Sequence, residues 1–233
     1  MPDTSIGGIV ANYINRSILC QAYVHIEETD LTDEEMDSFR LFIEKFILER
    51  GQFFFTPAAE SDVRIKEGSE IIYATILGGS GAIYSAIAAY PSFRQGVTSL
   101  SRDASRLTAG IISECLFQVR STQFESIRIE SRVGVFGKVD RAITLIDTVH
   151  AGLESVKPKT TCNRISRIDK ELQSFFYRID DQIDRDYIKN ELFKIADTKL
   201  PARIPKSKKV NPTTEENRIY RATRASLIDT LSV

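Results

Sequence analysis

Residues 71–90 have the sequence IIYATILGGSGAIYSAIAAY, twenty consecutive residues without a charged side chain. The first part, 71–77, is rich in β-branched residues, which favour a strand. The second part, 82–90, is rich in alanine, which favours a helix. Glycines at positions 78, 79 and 81 stand between the two parts. The segment therefore predicts a buried strand, a glycine turn and a buried helix, where the chain changes from β to α structure.

The same twenty residues allow a second interpretation, because a helix of this length rises about 30 Å and would cross the hydrocarbon core of a bilayer. The residues that would then face lipid are Ile76, Leu77, Ile83 and Ile87. Most of the segment is glycine, alanine, serine, threonine or tyrosine, which insert less well than leucine or phenylalanine. We therefore expect a core segment and keep membrane association as the alternative.

The chain before this segment switches between strand and helix periodicity. In 17–26 apolar residues alternate with more polar ones, as in a half-buried strand. Thr32 and Glu35 form a capping-box pattern ahead of an amphipathic helix that we expect to end at Gly51. An aromatic run at 52–56 and an alternating run at 61–66 predict two further strands. Residues 1–76 thus predict a small β-α-β-β unit in an α+β fold.

The chain after this segment, residues 77–198, is expected to be mainly helical. Residues 101–119 carry an apolar stripe with helical spacing, and 123–132 alternates as a strand does. Two amphipathic segments, 136–156 and 165–195, have apolar residues mostly three or four positions apart, close to heptad spacing. A turn-like Lys-Pro-Lys-Thr-Thr sequence separates them. We therefore predict a long antiparallel helical hairpin over 136–195.

Residues 199–233 predict a basic linker followed by a short C-terminal helix. Three prolines and several lysines occupy 199–212, a composition typical of a mobile arm. An acidic start at 214–216 then opens the last helix, which runs to about Leu231. The cations of this arm suit phosphate groups of nucleic acid; they are Lys206, Lys208, Lys209, Arg218, Arg221 and Arg224.

The apolar stripes of the second amphipathic segment and of the C-terminal helix predict a protein-binding surface. A stripe at near-heptad spacing suits a partner helix or a second copy of the chain. The residues that would contact the partner are Ile165, Ile168, Leu172, Phe175, Ile179, Ile183, Leu227, Ile228 and Leu231.

Composition argues against most catalytic and metal-binding classes. The chain has 233 residues, a net charge of −1, two histidines and three cysteines without close spacing. With only two histidines, the chain has few side chains of the type most often used for general acid-base catalysis or metal ligation. The glycine turn at 78–81 stands where a phosphate-binding turn would, yet no lysine follows it as a P-loop requires. We expect no catalytic residues, no metal site and no cofactor.

Taken together, these patterns predict a non-enzymatic interaction, assembly or regulatory protein that uses its helical hairpin and basic arm. The expected partner is another protein or a second copy of the chain. Membrane association through 71–90 is the first alternative, and nucleic-acid binding through the arm is the second. Unpaired cysteines are typical of a reducing compartment, so we expect a cytoplasmic location, with peripheral or single-span membrane attachment as the alternative.

Overall fold

The computed structural model describes residues 17–26, 31–66, 71–122 and 126–233. It confirms the predicted α+β class, because a four-stranded antiparallel sheet precedes a helical part. In chain order the elements are β1 (Ser17–Ile26), α1 (Asp33–Phe54), β2 (Ala59–Lys66), β3 (Ile71–Gly78), α2 (Ala82–Ala88), α3 (Phe93–Gln118), β4 (Ser126–Arg132), α4 (Gly134–Gly152), α5 (Pro158–Phe176), α6 (Gln182–Lys199) and α7 (Thr214–Leu231).

The sheet has the strand order β2-β3-β1-β4, with every neighbouring pair antiparallel. One helix, α1, connects β1 to β2, and two helices, α2 and α3, connect β3 to β4. This is the split β-α-β arrangement, in which each connection passes over a strand that belongs to the other half. The expected boundary at residue 76 therefore cuts through the sheet, because β4 comes from the later region and pairs with β1.

The central strand β1 is buried on both faces, so the prediction of a half-buried strand is wrong, although its apolar and its more polar residues do alternate between the faces. Ala22, Val24 and Ile26 are buried in the core, and α3 packs against this strand. The opposite face is polar: the side-chain amide of Gln21 donates to Thr75 Oγ1 at 2.8 Å, and Arg132 donates to Gln21 Oε1 at 2.6 Å. Strand β1 therefore joins the apolar core to a network of hydrogen bonds.

Helix α1 confirms the predicted N-terminus but not the predicted end. Thr32 and Glu35 form the expected capping box. The helix continues through Gly51 to Phe54, so the prediction of a strand over 52–56 is wrong. Gly51 lies against β3, where a Cβ atom would come 2.8 Å from Ile76 Cγ2. The glycine therefore serves close helix-sheet packing rather than helix termination.

The uncharged segment 71–90 divides between β3 and α2, as its composition favoured. Ile76, Leu77, Ile83 and Ile87 are all buried in the core. They fill the protein interior and offer no surface that could meet lipid. Within the described ranges, no helix is both long enough and apolar enough to cross a bilayer.

Helices α4 to α7 form a four-helix bundle in which both α4 and α7 contact α5 and α6. The prediction of one long helix over 165–195 is wrong, because the chain breaks at 177–181 between α5 and α6. Asp181 causes the restart: its carboxylate accepts a hydrogen bond from the Asp184 backbone N–H at 2.9 Å. An aspartate N-cap of this kind stabilises a new helix by about 1 kcal/mol.

The contacts between helices fix their directions. Arg141 of α4 pairs with Glu171 of α5 across an antiparallel hairpin, which confirms the predicted turn between them. Arg224 of α7 donates to Asp197 of α6 at 2.6 Å. Farther along, Lys189 of α6 donates to the carbonyl oxygen of Ser232, just beyond α7. Helices α6 and α7 are therefore antiparallel too.

The segment 200–213 crosses one end of the bundle, which corrects the prediction of a mobile linker. Leu200, Ile204 and Val210 are buried in the core. The Ser207 hydroxyl donates to the carbonyl oxygen of Glu154 at 2.6 Å. Three widely spaced apolar side chains and a side-chain hydrogen bond therefore hold this proline-rich segment over the bundle end.

We expect Gly134→Ala to destabilise the fold strongly. Gly134 has φ +56°, and a Cβ atom there would collide with the carbonyl oxygens of Ile18 and Leu19. Backbone strain and the collision together should cost about 2–4 kcal/mol of unfolding free energy. Chemical denaturation measures this loss.

The matched control is Gly110→Ala in the middle of α3, where a Cβ atom would meet nothing within 4 Å. Alanine is the better helix former, so this variant should gain about 0.5–1 kcal/mol. Equal effects of the two substitutions would contradict the close approach of α4 to β1.

Candidate functional site

The stripe predicted to bind a partner is occupied by the chain's own last helix. Helix α7 lies along α5 and α6 and buries Tyr220, Leu227 and Leu231. The α5 residues Ile165, Ile168, Leu172 and Phe175 are likewise buried inside the bundle, as is Ile179 in the α5–α6 connection. Each of these residues is at most 5 % exposed.

Two members of the predicted set lie apart from this seam. Ile183 is 58 % exposed on α6, because the helix break at 177–181 turns it away from the stripe. Ile228 is partly buried and packs against the edge of the core. The seam that the sequence assigned to a partner is thus largely an internal contact of the bundle.

A buried carboxylate fixes α7 on α5. Asp169 of α5 accepts hydrogen bonds from the hydroxyls of Ser226 at 2.7 Å and Thr230 at 2.6 Å. Gln173, one turn further along α5, donates to Asp169 at 3.1 Å and to Thr230 at 3.2 Å. Because these bonds are directional, they set the position of α7 along the axis of α5, which apolar contacts alone would not do.

The cations predicted to form a basic arm lie at the bundle end and on α7. Lys206, Lys208, Lys209, Arg218 and Arg221 are exposed. Arg224 is largely covered and donates to the carbonyl oxygen of Leu200 at 2.6 Å. Arg218 is paired with Glu215 at 2.7 Å. Binding of phosphates by the remaining cations stays a prediction.

The glycine turn between β3 and α2 is filled by a side chain of this protein. The Asp184 carboxylate accepts hydrogen bonds from the backbone N–H groups of Ile83 at 3.2 Å and Tyr84 at 2.8 Å. Burial raises the pKa of Asp184, and these two hydrogen bonds oppose that shift. A phosphate group would need the position that this carboxylate takes, so the turn connects α2 to α6 rather than binding a nucleotide.

Reactive side chains do not converge in the described part of the chain. No group of three histidine, cysteine, aspartate or glutamate residues is placed to hold a metal ion there. All three cysteines are buried. Burial raises the pKa of the Cys20 and Cys115 thiols, the latter to about 12, so neither forms a thiolate nucleophile at neutral pH.

A groove of about 450 Å³ runs along the outer side of the α4–α5 hairpin. Its floor is apolar and includes Leu145 of α4 with Ile168, Leu172 and Phe175 of α5. Three residues of the predicted partner surface thus reach the floor of the groove from the bundle interior. The groove follows each helix from 138 to 145 and from 168 to 175, which is roughly 10 Å or two turns.

The rim of the groove carries more positive than negative charge. Lys138, Arg141 and Lys170 line it together with one carboxylate, that of Glu171. Glu171 already accepts from Arg167 at 2.8 Å and lies 3.6 Å from Arg141. Burial of its ammonium group, and then repulsion from Arg178, lower the pKa of Lys138. The rim therefore holds cations that the described carboxylates do not neutralise.

The cations of this groove were not predicted from the sequence as part of a partner surface. A signal was present, because 138, 141, 142 and 145 on α4 share one helix face, as do 168, 171, 172 and 175 on α5. The two faces form a groove only when the hairpin brings 138 close to 175 and 145 close to 168. This pairing of α4 with α5 positions arises only in the folded bundle and is not visible in the pattern of either helix alone.

Comparison of this chain with protein-family models, curated proteins and solved structures gives no match.

Labelling of Cys162 should report whether α7 is docked. Cys162 of α5 is 7 % exposed and lies beside Thr223 of α7. Leu227→Ala removes a fully buried side chain and should weaken docking by about 2–5 kcal/mol. We expect a thiol reagent to modify Cys162 at least tenfold faster in this variant, with Cys20 and Cys115 still protected.

Ile219→Ala is the matched control, because Ile219 is 48 % exposed on the same helix. It should leave the modification rate of Cys162 within about twofold of the parent protein. Peptide mapping after a short exposure to the reagent distinguishes the three thiols. Simultaneous modification of all three in Leu227→Ala would contradict a local contact between α7 and Cys162.

Proposed function

We propose that this chain is a non-enzymatic protein-binding module that docks a partner in the groove between α4 and α5. The observation that carries the proposal is an open groove with an apolar floor and a rim of unneutralised cations. An apolar floor supplies binding free energy when water leaves it, and charges at a rim select the partner and speed its approach.

Two features of the fold support a binding role over a catalytic one. The buried thiols have raised pKa values. In addition, the one carboxylate of the groove already faces two arginines. A general base or nucleophile needs a free, correctly ionised group within reach of a substrate, and the groove does not present one.

Rigidity of the surrounding bundle also supports docking. The floor residues belong to the bundle core, so their positions are set before a partner arrives. A preformed surface loses little side-chain entropy on binding, and more of the contact energy appears as affinity.

Site-specific photo-crosslinking tests this proposal. A photo-reactive residue at Ser174, an exposed position in the groove, should give a defined crosslink in an extract of the cells that make the protein. The same residue at Ser105, exposed on α3, is the matched control and should give none. Leu145→Gln should abolish the Ser174 crosslink, because it places an amide in the apolar floor.

Circular dichroism and thermal unfolding of Leu145→Gln establish that the variant is folded. Equal crosslinking from Ser174 and Ser105, or a Ser174 crosslink that persists in folded Leu145→Gln, would overturn the groove as the binding surface.

A further inference from the structure

We propose that the occupant of the α4–α5 groove is a short amphipathic helix of a partner protein, with acidic residues on both sides of an apolar stripe. This inference rests on the proposed function and names the chemistry of the partner. It follows from the length of the groove, from its floor and from the charges of its rim.

The dimensions of the groove suit a helix of two to three turns. Both walls are helical, and each contributes residues at positions i, i+3, i+4 and i+7 over about 10 Å. A helix laid between two such walls presents its own apolar residues at the same spacing. Among the apolar residues of the lining, Leu145 is the one that is partly exposed, so the partner stripe needs an apolar residue opposite it.

The charges of the rim select an acidic partner. Lys138 and Lys170 have no carboxylate within ion-pair distance among the residues that the structure describes, and Arg178 adds repulsion at Lys138. A carboxylate from a partner would relieve this repulsion. At physiological ionic strength charges act over about 8 Å, so residues flanking the partner stripe lie within range of the rim cations.

The positive charge of the rim is concentrated near the start of α4. The first turn of α4 contains no acidic residue, and Arg178 acts on Lys138 in the turn that follows. One end of the groove is therefore more positive than the other. An acidic residue of the partner is expected opposite this end.

The groove does not suit single-stranded nucleic acid. Its one aromatic residue, Phe175, is 5 % exposed and belongs to the floor. Base stacking needs an accessible ring face, which Phe175 does not offer. The rim cations also stand above an apolar floor, and phosphate groups gain nothing from that surface.

Synthetic helical peptides with one apolar stripe test the inference on the full-length protein. Three versions carry glutamate, glutamine or lysine on both sides of the same leucine stripe, and fluorescence anisotropy measures binding. We expect the glutamate peptide to bind tightest and to lose affinity as salt rises. The double variant Lys138→Gln, Lys170→Gln should weaken it about tenfold, because both rim charges are removed with little change of side-chain length.

The matched control is Lys206→Gln, Lys208→Gln, which removes two exposed cations at the bundle end. It should leave the affinity within about twofold. Equal binding of the glutamate and glutamine peptides would overturn the charge selection and leave groove docking in place.

Failure of all three peptides, with the Ser174 crosslink still present, would overturn the helical partner. So would occupation of the groove by dodecanoate in the absence of peptide binding, since it would assign the groove to an anionic lipid chain. Failure of the peptides together with loss of the Ser174 crosslink would overturn the proposed function itself.

Discussion

The contact between α5 and α7 is the interaction on which the helical half of the molecule depends. It brings residues 57 and 61 positions apart into register, because the Asp169 carboxylate accepts hydrogen bonds from the hydroxyls of Ser226 and Thr230. A buried carboxylate is costly without such partners, so the two helices fit together in one position only. Apolar burial of Leu227 and Leu231 supplies the driving force, and the polar bonds supply the alignment.

That contact determines which apolar surface remains available. Most of the long α5 stripe is buried inside the bundle, which removes it from contact with any partner. Where α5 faces α4, three of these residues form the floor of the groove. Helix α4, which forms one side of the groove, packs closely against β1 at Gly134. That side of the groove is therefore held in place by the sheet as well as by the bundle. The position of the groove thus follows from two contacts that lie outside it.

Local patterns predicted much of the fold, and tertiary contacts account for what they missed. Alternation placed β1, β2 and β4, the β-branched residues of 71–77 placed β3, and the capping box placed the start of α1. The end of α1 was wrong because Gly51 packs against Ile76, a contact that composition does not reveal. The break before α6 was missed because apolar spacing continues through Ile179 and Ile183, although Asp181 is a recognisable N-cap. Three floor residues of the groove were predicted as contact residues, but its cations were not, since the groove exists only in the paired register of α4 and α5.

Because α7 belongs to the same bundle as α5, the protein exposes less apolar helix surface than its sequence suggests. Native-state amide hydrogen exchange tests this occupation of the α5 seam most directly, because it compares the opening free energies of α5 and α7 in the intact protein. The account predicts that amides in the middle of α7, around 220–228, are protected to the same degree as those of α5. Exchange of these α7 amides at the rate of an isolated peptide, with α5 still protected, would contradict it.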